Sequence, residues 1–269
     1  MRMNQQFDLN TWEEFESQLA DLASNLRVAQ TFGSASHLLF RGQSSWGWRL
    51  ETTLERESTK IETISDYFRF LSGAKPQLET FTGKQWPDID IQAIQKTYEA
   101  YDSLFLAQFP AYELCVYARH LGFPSILLDW SRSPYIAAYF AFQSPKADHV
   151  AIWVYQEYSG HGKASSSNEP QLKNLGPYVT SHPRHFLQQG EYTLAVKYQK
   201  ESWHLAGHHE VFELGREHQD KLLKFTLPAT ERDNVLNRLD QYNINAYSLM
   251  QTEDALLQTI AFRLLPRYR

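Results

Sequence analysis

The side chains best suited to chemistry in this chain sit in two apolar-flanked segments. One is His37-Leu38-Leu39-Phe40-Arg41-Gly42-Gln43, the other Leu127-Leu128-Asp129-Trp130-Ser131-Arg132-Ser133-Pro134. Each is a hydrophobic run of strand type that ends on polar groups: Arg41 in the first, Asp129 and Ser131 in the second. A charge delivered by a buried strand is costly unless it meets a partner or a ligand. Two such deliveries predict the walls of one pocket, with Arg41, Asp129 and Ser131 converging on it although they lie far apart in the chain. Arg41 offers a planar fork that grips phosphate or carboxylate with two bonds, and Gly42 leaves room for a ligand at the backbone. A structural Arg–carboxylate pair uses the same residue types, and both readings stand at this level.

Three further groups carry chemistry. Asp129 or Ser131 would cap a helix starting near Pro134, and the first turn of that helix offers free N–H groups to an anion. In Gln188-Gln189-Gly190-Glu191, Glu191 is either a solvated edge carboxylate or, beside Arg41 and Ser131, a group that binds a ribose hydroxyl or takes a proton. The spacing of His204 and His208 places both on one helical face, and His209 with Glu213 repeats it; Glu210 and His218 lie close by. The His-Glu-x-x-His order is absent, so no metal is assigned. The G-x-G-x-x-G, Walker A and G-x-S-x-G patterns are also absent, which leaves Rossmann, P-loop and α/β-hydrolase readings without support.

These residues need elements to hold them. Thr11 followed by Glu14 predicts a capped amphipathic helix of about four turns. Leu38–Gly42, Ser125–Leu128, His149–Tyr155, Glu191–Tyr198 and Lys221–Leu227 read as strands, with a last one at Tyr247-Ser248-Leu249. Residues 50–110 have helical period, with breaks at Ser72-Gly73 and around Trp86-Pro87-Asp88 and a helix from Ile91 to Phe109. Another helix ends near His120-Leu121-Gly122, Pro134–Phe142 is a proline-opened helix, and residues 229–240 form a short one. Residues 156–190 read as a long loop, most loop-like at Ser165-Ser166-Ser167. The class is α+β: a mostly antiparallel sheet after a helical N-terminal half.

Composition sets outer bounds. The 269 residues are 42% hydrophobic and 21% charged, with a net charge of −5, so no global basic field draws the chain to nucleic acid or anionic lipid. The one cysteine, Cys115, lies in an apolar run as a core filler and excludes a disulfide framework. No segment is long and apolar enough for a membrane span and no signal segment opens the chain, so a cytoplasmic protein with no membrane partner is expected. Aromatic residues reach 14%. They read as large core side chains, with Trp46, Trp48 and Trp130 near the polar signals as candidates for stacking a flat ring.

The motifs resemble a known family. Phe40-Arg41-Gly42-Gln43, Trp48-Arg49-Leu50 and Leu54-Glu55-Arg56 are similar to the opening signature of the FRG domain. Arg119-His120-Leu121-Gly122-Phe123-Pro124-Ser125, Leu127-Leu128-Asp129-Trp130-Ser131 and Ala137-Ala138-Tyr139-Phe140-Ala141 resemble its second block, and Gln188-Gln189-Gly190-Glu191-Tyr192 its third. Arg119 and Ser125 depart from the usual Gln and Thr. The resemblance runs from about residue 36 to 260, and implies an N-terminal helical segment at 1–35 followed by an FRG-like domain at 36–269 with a helical insertion at 57–110.

The order of blocks is also similar to that of Arg-Ser-Glu ADP-ribosyltransferases. That likeness implies a split, mostly antiparallel sheet, NAD as substrate, and transfer of ADP-ribose to a protein or a nucleic-acid base. It implies catalytic roles for Arg41, Ser131 and Glu191, with Asp129 and Glu253 as rival carboxylates. NAD would be bound by Arg41, Gly42, Gln43, His120, Asp129, Trp130, Ser131 and Gln189, the Trp130 ring stacking on the nicotinamide. A toxin or antiviral defence setting, with an antitoxin or defence-system partner, follows from the same likeness. The other class of reading is a non-catalytic FRG module that senses a nucleotide or holds a partner.

Overall fold

A computed structural model of the chain describes residues 5–57, 60–102, 104, 108–160, 163–164, 168–180, 182–216 and 218–265. The expected Ser165–Ser167 loop point and the chain start at Met1–Asn4 lie outside them. The strands are β1 (Gln5–Asp8), β2 (Ser34–Ala35), β3 (Leu38–Gln43), β4 (Leu127–Ser131), β5 (His149–Gly160), β6 (Gln171–Asn174), β7 (Gly190–Gln199), β8 (Ser202–Leu205) and β9 (Gln219–Pro228). The helices are α1 (Trp12–Phe32), α2 (Ile64–Thr82), α3 (Ile91–Glu99), α4 (Tyr112–His120), α5 (Pro134–Phe142), α6 (Pro183–Leu187), α7 (His208–Glu213), α8 (Arg232–Gln241), α9 (Ala246–Met250) and α10 (Glu253–Leu264).

The strands form one sheet in the order β1-β9-β5-β3-β4-β7-β6, with β2 on β5 and β8 on β7. Every pairing is antiparallel except β1 with β9, so the class is α+β with a mostly antiparallel sheet. Two well-paired halves meet at β3 and β4, which share the single pair Phe40–Ser131. Beyond that pair the strands part, and the cavity opens there.

Alternation along the strands sorts the core. Phe40, Ile152, Val154 and Phe225 face α1, α5 and α8 on one side of the first half. Leu39, Leu128, Trp130, Tyr155 and Phe212 pack on the opposite face, beneath α7. In the second half, Leu127, Tyr192, Leu194 and Val196 are covered by α2, α3 and α4.

Several elements differ from the sequence-based expectation. The helix α2 runs through Ser72-Gly73 and even Pro76, because Thr63 and Asp66 cap its start reciprocally and Ile64, Tyr67, Phe68 and Leu71 bury one face. That burial outweighs the cost of about 1 kcal/mol for the interior glycine and about 3 kcal/mol for the interior proline. Helix α3 stops at Glu99 rather than Phe109. Tyr247-Ser248-Leu249 is helix α9, capped reciprocally by Asn245 and Ser248, not a strand. His204 lies on β8 and His208 opens α7, so the expected common helical face does not form. Helix α1 has 21 residues, longer than expected, and β1 and α10 were not anticipated.

Candidate functional site

A cavity of about 380 Å³ opens where β3 and β4 part, lined by Arg41, Gln43, Trp48, Arg56, Arg119, His120, Asp129, Ser131, Arg184 and Tyr192 among others. A larger one, of about 530 Å³, lies between α5, α8 and α10, but none of the predicted site residues reaches it.

Arg41 is the plug of the split. Its Nη1 donates to the Asp129 carbonyl oxygen at 2.8 Å and to the Asp129 carboxylate. The first bond replaces a rung that the parted strands do not make. Arg119, at the end of α4, donates to the same carboxylate oxygen, Oδ1. Burial pushes the Asp129 pKa up, but Arg119 and Arg41 outweigh it and hold the group well below the usual carboxylate range. The other oxygen, Oδ2, has no side-chain partner among the described residues, and the Asp129 side chain is 42% exposed.

Positive charge exceeds negative around this space. Arg41, Arg56, Arg119 and Arg184 line it, while Asp129 is the one carboxylate among the described residues. Three of those guanidinium groups carry a buried N–H without a partner among the described residues: Arg41 Nε, Arg119 Nη1 and Arg184 Nε. Buried donors are rarely left unpaired in native structures. Arg56 is exposed and makes no ion pair among the described residues.

The predicted residues divide sharply. Arg41, Gly42, Gln43, His120, Asp129, Trp130 and Ser131 all border the cavity. Gln188 and Gly190 border it too, but Gln189, in a left-handed turn at φ 49°, does not. Glu191 does not join them. In register, Asp129 faces Tyr192 and Trp130 faces Glu191, so Glu191 shares the Trp130 face, opposite Asp129 and Ser131. It is fully buried there, accepting from Arg132, from His37 at 2.8 Å and from Asn174 at 3.1 Å. Burial raises its pKa, yet these bonds outweigh burial and hold it low.

Other expectations need correction in role. Gly42 points at α5: a Cβ there would stand 1.8 Å from the Ala137 carbonyl oxygen, so the glycine serves helix packing rather than ligand approach. Ser131 Oγ donates to the Gln188 carbonyl at 2.7 Å and accepts from the Ser133 N–H, so its hydroxyl ties β4 to the turn before β7. The cap of α5 is Ser133, which accepts from the Ile136 N–H. The Trp130 ring is buried, packs on Tyr155 and donates to Thr193, so it cannot stack on a ligand. Trp48, 48% exposed at the cavity, presents an accessible aromatic ring there. Gln43 spends both ends of its amide, on Arg49 O and Trp153 Nε1. Glu253 opens α10 at the surface and is not among the residues that line the cavity.

Arg56 and Arg184 were not singled out by sequence reasoning. Arg56 closes the Leu54-Glu55-Arg56 motif and carried that signal; Arg184 follows Pro183 in a five-residue helix and carried none.

The fold and site therefore define an α+β protein with a basic cavity between two parted strands. Within it, residues 36–149 match the model of the FRG domain, and the resemblance drawn from the first two motif blocks holds over that segment. The match contains Arg41, Arg56, Arg119, Asp129 and Ser131; the third block, with Gly190 and Glu191, lies beyond it. No curated protein and no solved structure matches the chain. Among the described residues, no helix is long and apolar enough to cross a membrane.

Proposed function

We propose that the cavity between β3 and β4 binds a nucleotide with a diphosphate, NAD or ADP-ribose being the first candidates. The observation that carries this reading is the trio of unpartnered buried guanidinium donors beside one cavity. A diphosphate supplies the several anionic acceptors that such donors require. Trp48 offers a face for a flat base at the same opening.

Titration calorimetry of the full chain with NAD, ADP-ribose and inorganic pyrophosphate tests the proposal. Binding is expected for all three. Arg56→Ala and Arg184→Ala should each weaken it about tenfold or more, the worth of one charge-assisted hydrogen bond. Absence of heat with every probe would sink the reading.

A second reading, ADP-ribose transfer to a macromolecule, is favoured by Asp129 Oδ2. This oxygen belongs to an ionised carboxylate at the cavity and has no side-chain partner among the described residues. A carboxylate so placed can stabilise the positive charge that develops at the ribose as nicotinamide leaves. In this form Asp129, not Glu191, is the carboxylate at the site. Labelled NAD incubated with protein, RNA and DNA acceptors tests it. Label should appear on one acceptor and vanish with Asp129→Asn in a variant that still folds.

A further inference from the structure

We infer that His120 is held in the tautomer whose Nδ1 lone pair faces the cavity, where it accepts a hydrogen bond from a ribose hydroxyl of the ligand. The ligand half of this inference rests on the nucleotide reading above; the tautomer rests on the protein alone.

The argument is a chain of donors and acceptors that starts from a carbonyl. His185 is buried, and its Nε2 lies 2.9 Å from the Pro177 carbonyl oxygen. A carbonyl only accepts, so Nε2 carries the proton and, in the neutral ring, Nδ1 is the acceptor. The partner of His185 Nδ1 is the Tyr192 hydroxyl at 3.3 Å, which therefore donates to it. That leaves the Tyr192 oxygen to accept from its other partner, His120 Nε2, at 2.8 Å. His120 thus carries its proton on Nε2, and Nδ1 is a bare lone pair. His120 borders the cavity, and Nδ1 has no partner among the described residues.

Three surroundings support the relay. Gly190 keeps it uncrowded: a Cβ there would lie 3.1 Å from His185 Nδ1 and 3.2 Å from the Tyr192 oxygen. The His120 ring stacks on His182 at 5.1 Å, and His182 Nδ1 accepts from the Arg184 N–H, so its lone pair is already used. The groups facing His120 are Arg119 beside it on α4, Asp129 on β4, Tyr192 on β7, and His182, Arg184 and His185 around α6. Burial holds His120 down to about 4 against the opposing pull of Asp129, so the ring is neutral at pH 7. Nδ1 is an acceptor at a cavity that four guanidinium groups also line, which suits a hydroxyl rather than a phosphate oxygen.

Two measurements on the full chain decide the matter. Side-chain ¹⁵N spectra should show His120 with Nε2–H and an unprotonated Nδ1, and Tyr192→Phe should release it to a mixture of tautomers. A proton on Nδ1 in the unmodified protein overturns the relay. In binding, His120→Phe should weaken ADP-ribose about three- to tenfold, the range for one neutral hydrogen bond, and leave inorganic pyrophosphate unchanged. Equal loss for both probes, or none for ADP-ribose, overturns the hydroxyl contact while the anion site stands. If neither probe binds the unmodified protein, the nucleotide reading fails and takes the hydroxyl contact with it, and the spectra still judge the relay. Thermal melts of both variants guard against a folding defect.

Discussion

Arg41 reaches Asp129 across the gap where β3 and β4 part, bonding through one nitrogen to both the backbone carbonyl and the carboxylate of that residue. A side chain thus completes the sheet where the ladder stops, and the same ion pair forms the floor of the basic cavity. Structural and binding roles, weighed as alternatives for Arg41 in the sequence, are compatible at one residue.

Removing this group should therefore loosen the joint between the two halves of the sheet. Arg41→Ala leaves the Asp129 carbonyl without its partner and Asp129 with Arg119 alone. The expected loss is about 3 kcal/mol, the low end for breaking a buried pair, because Arg119 remains and Asp129 keeps contact with solvent. Arg41→Lys should recover only part of it, since an ammonium lacks the fork. Urea denaturation measures both; an Ala variant as stable as the parent contradicts the joint.

Gly42 predicts a purely steric effect. With the Ala137 carbonyl 1.8 Å from where a Cβ would sit, Gly42→Ala must push α5 away from β3. Overpacking of this kind costs about 1–3 kcal/mol. A thermal melt should show the loss, and an unchanged melting temperature would mean that α5 is not seated as described.

How far the site could be read from the sequence follows from what each inference needed. Arg41, Asp129 and Ser131 border one cavity, as polar groups among apolar strand residues suggested. Glu191 and Trp130 depended on something the chain does not display, the pairing of β7 with β4. One step of alternation places Glu191 and Trp130 on the face opposite Asp129. Ser133, not Asp129 or Ser131, caps α5, a shift of four or two residues that composition leaves undetermined. Tyr247-Ser248-Leu249 was too short for periodicity to separate strand from helix, and the Asn245–Ser248 cap decides it. Arg184 reaches the cavity only because α6 folds back beside α4, a tertiary fact without local trace.

Glu191 gives a test that separates stability from binding. Glu191→Gln keeps the volume but removes the charge that Arg132 and His37 share. Stability should fall, and ADP-ribose affinity should stay the same, because the group lies on the other face of the sheet. Should the parent transfer ADP-ribose, a stable variant that binds normally but has lost the transfer would instead restore Glu191 to the site.

Acid should destabilise the protein as its displaced groups take up protons, and two of them, His120 and Glu55, can be followed by substitution in separate pH windows. His120 is lowered from 6.5 to about 4 by burial, so between those values the unfolded chain binds more protons than the folded one. Stability then rises with pH in that window and is lost as pH falls from 6.5 through 4. Glu55 behaves differently. Burial raises it, but its contacts with His208 and Thr52 dominate and hold it at about 2, below its ordinary 4.5. Its contribution is full above 4.5 and fades as pH falls toward 2. Urea midpoints measured across this range should show His120→Phe flattening the upper window and Glu55→Gln flattening the lower. Glu55→Gln should also lower stability near neutral pH, since Glu55 accepts from the His208 N–H and anchors α7. If His120→Phe follows the parent's slope between 6.5 and 4, burial does not displace this imidazole.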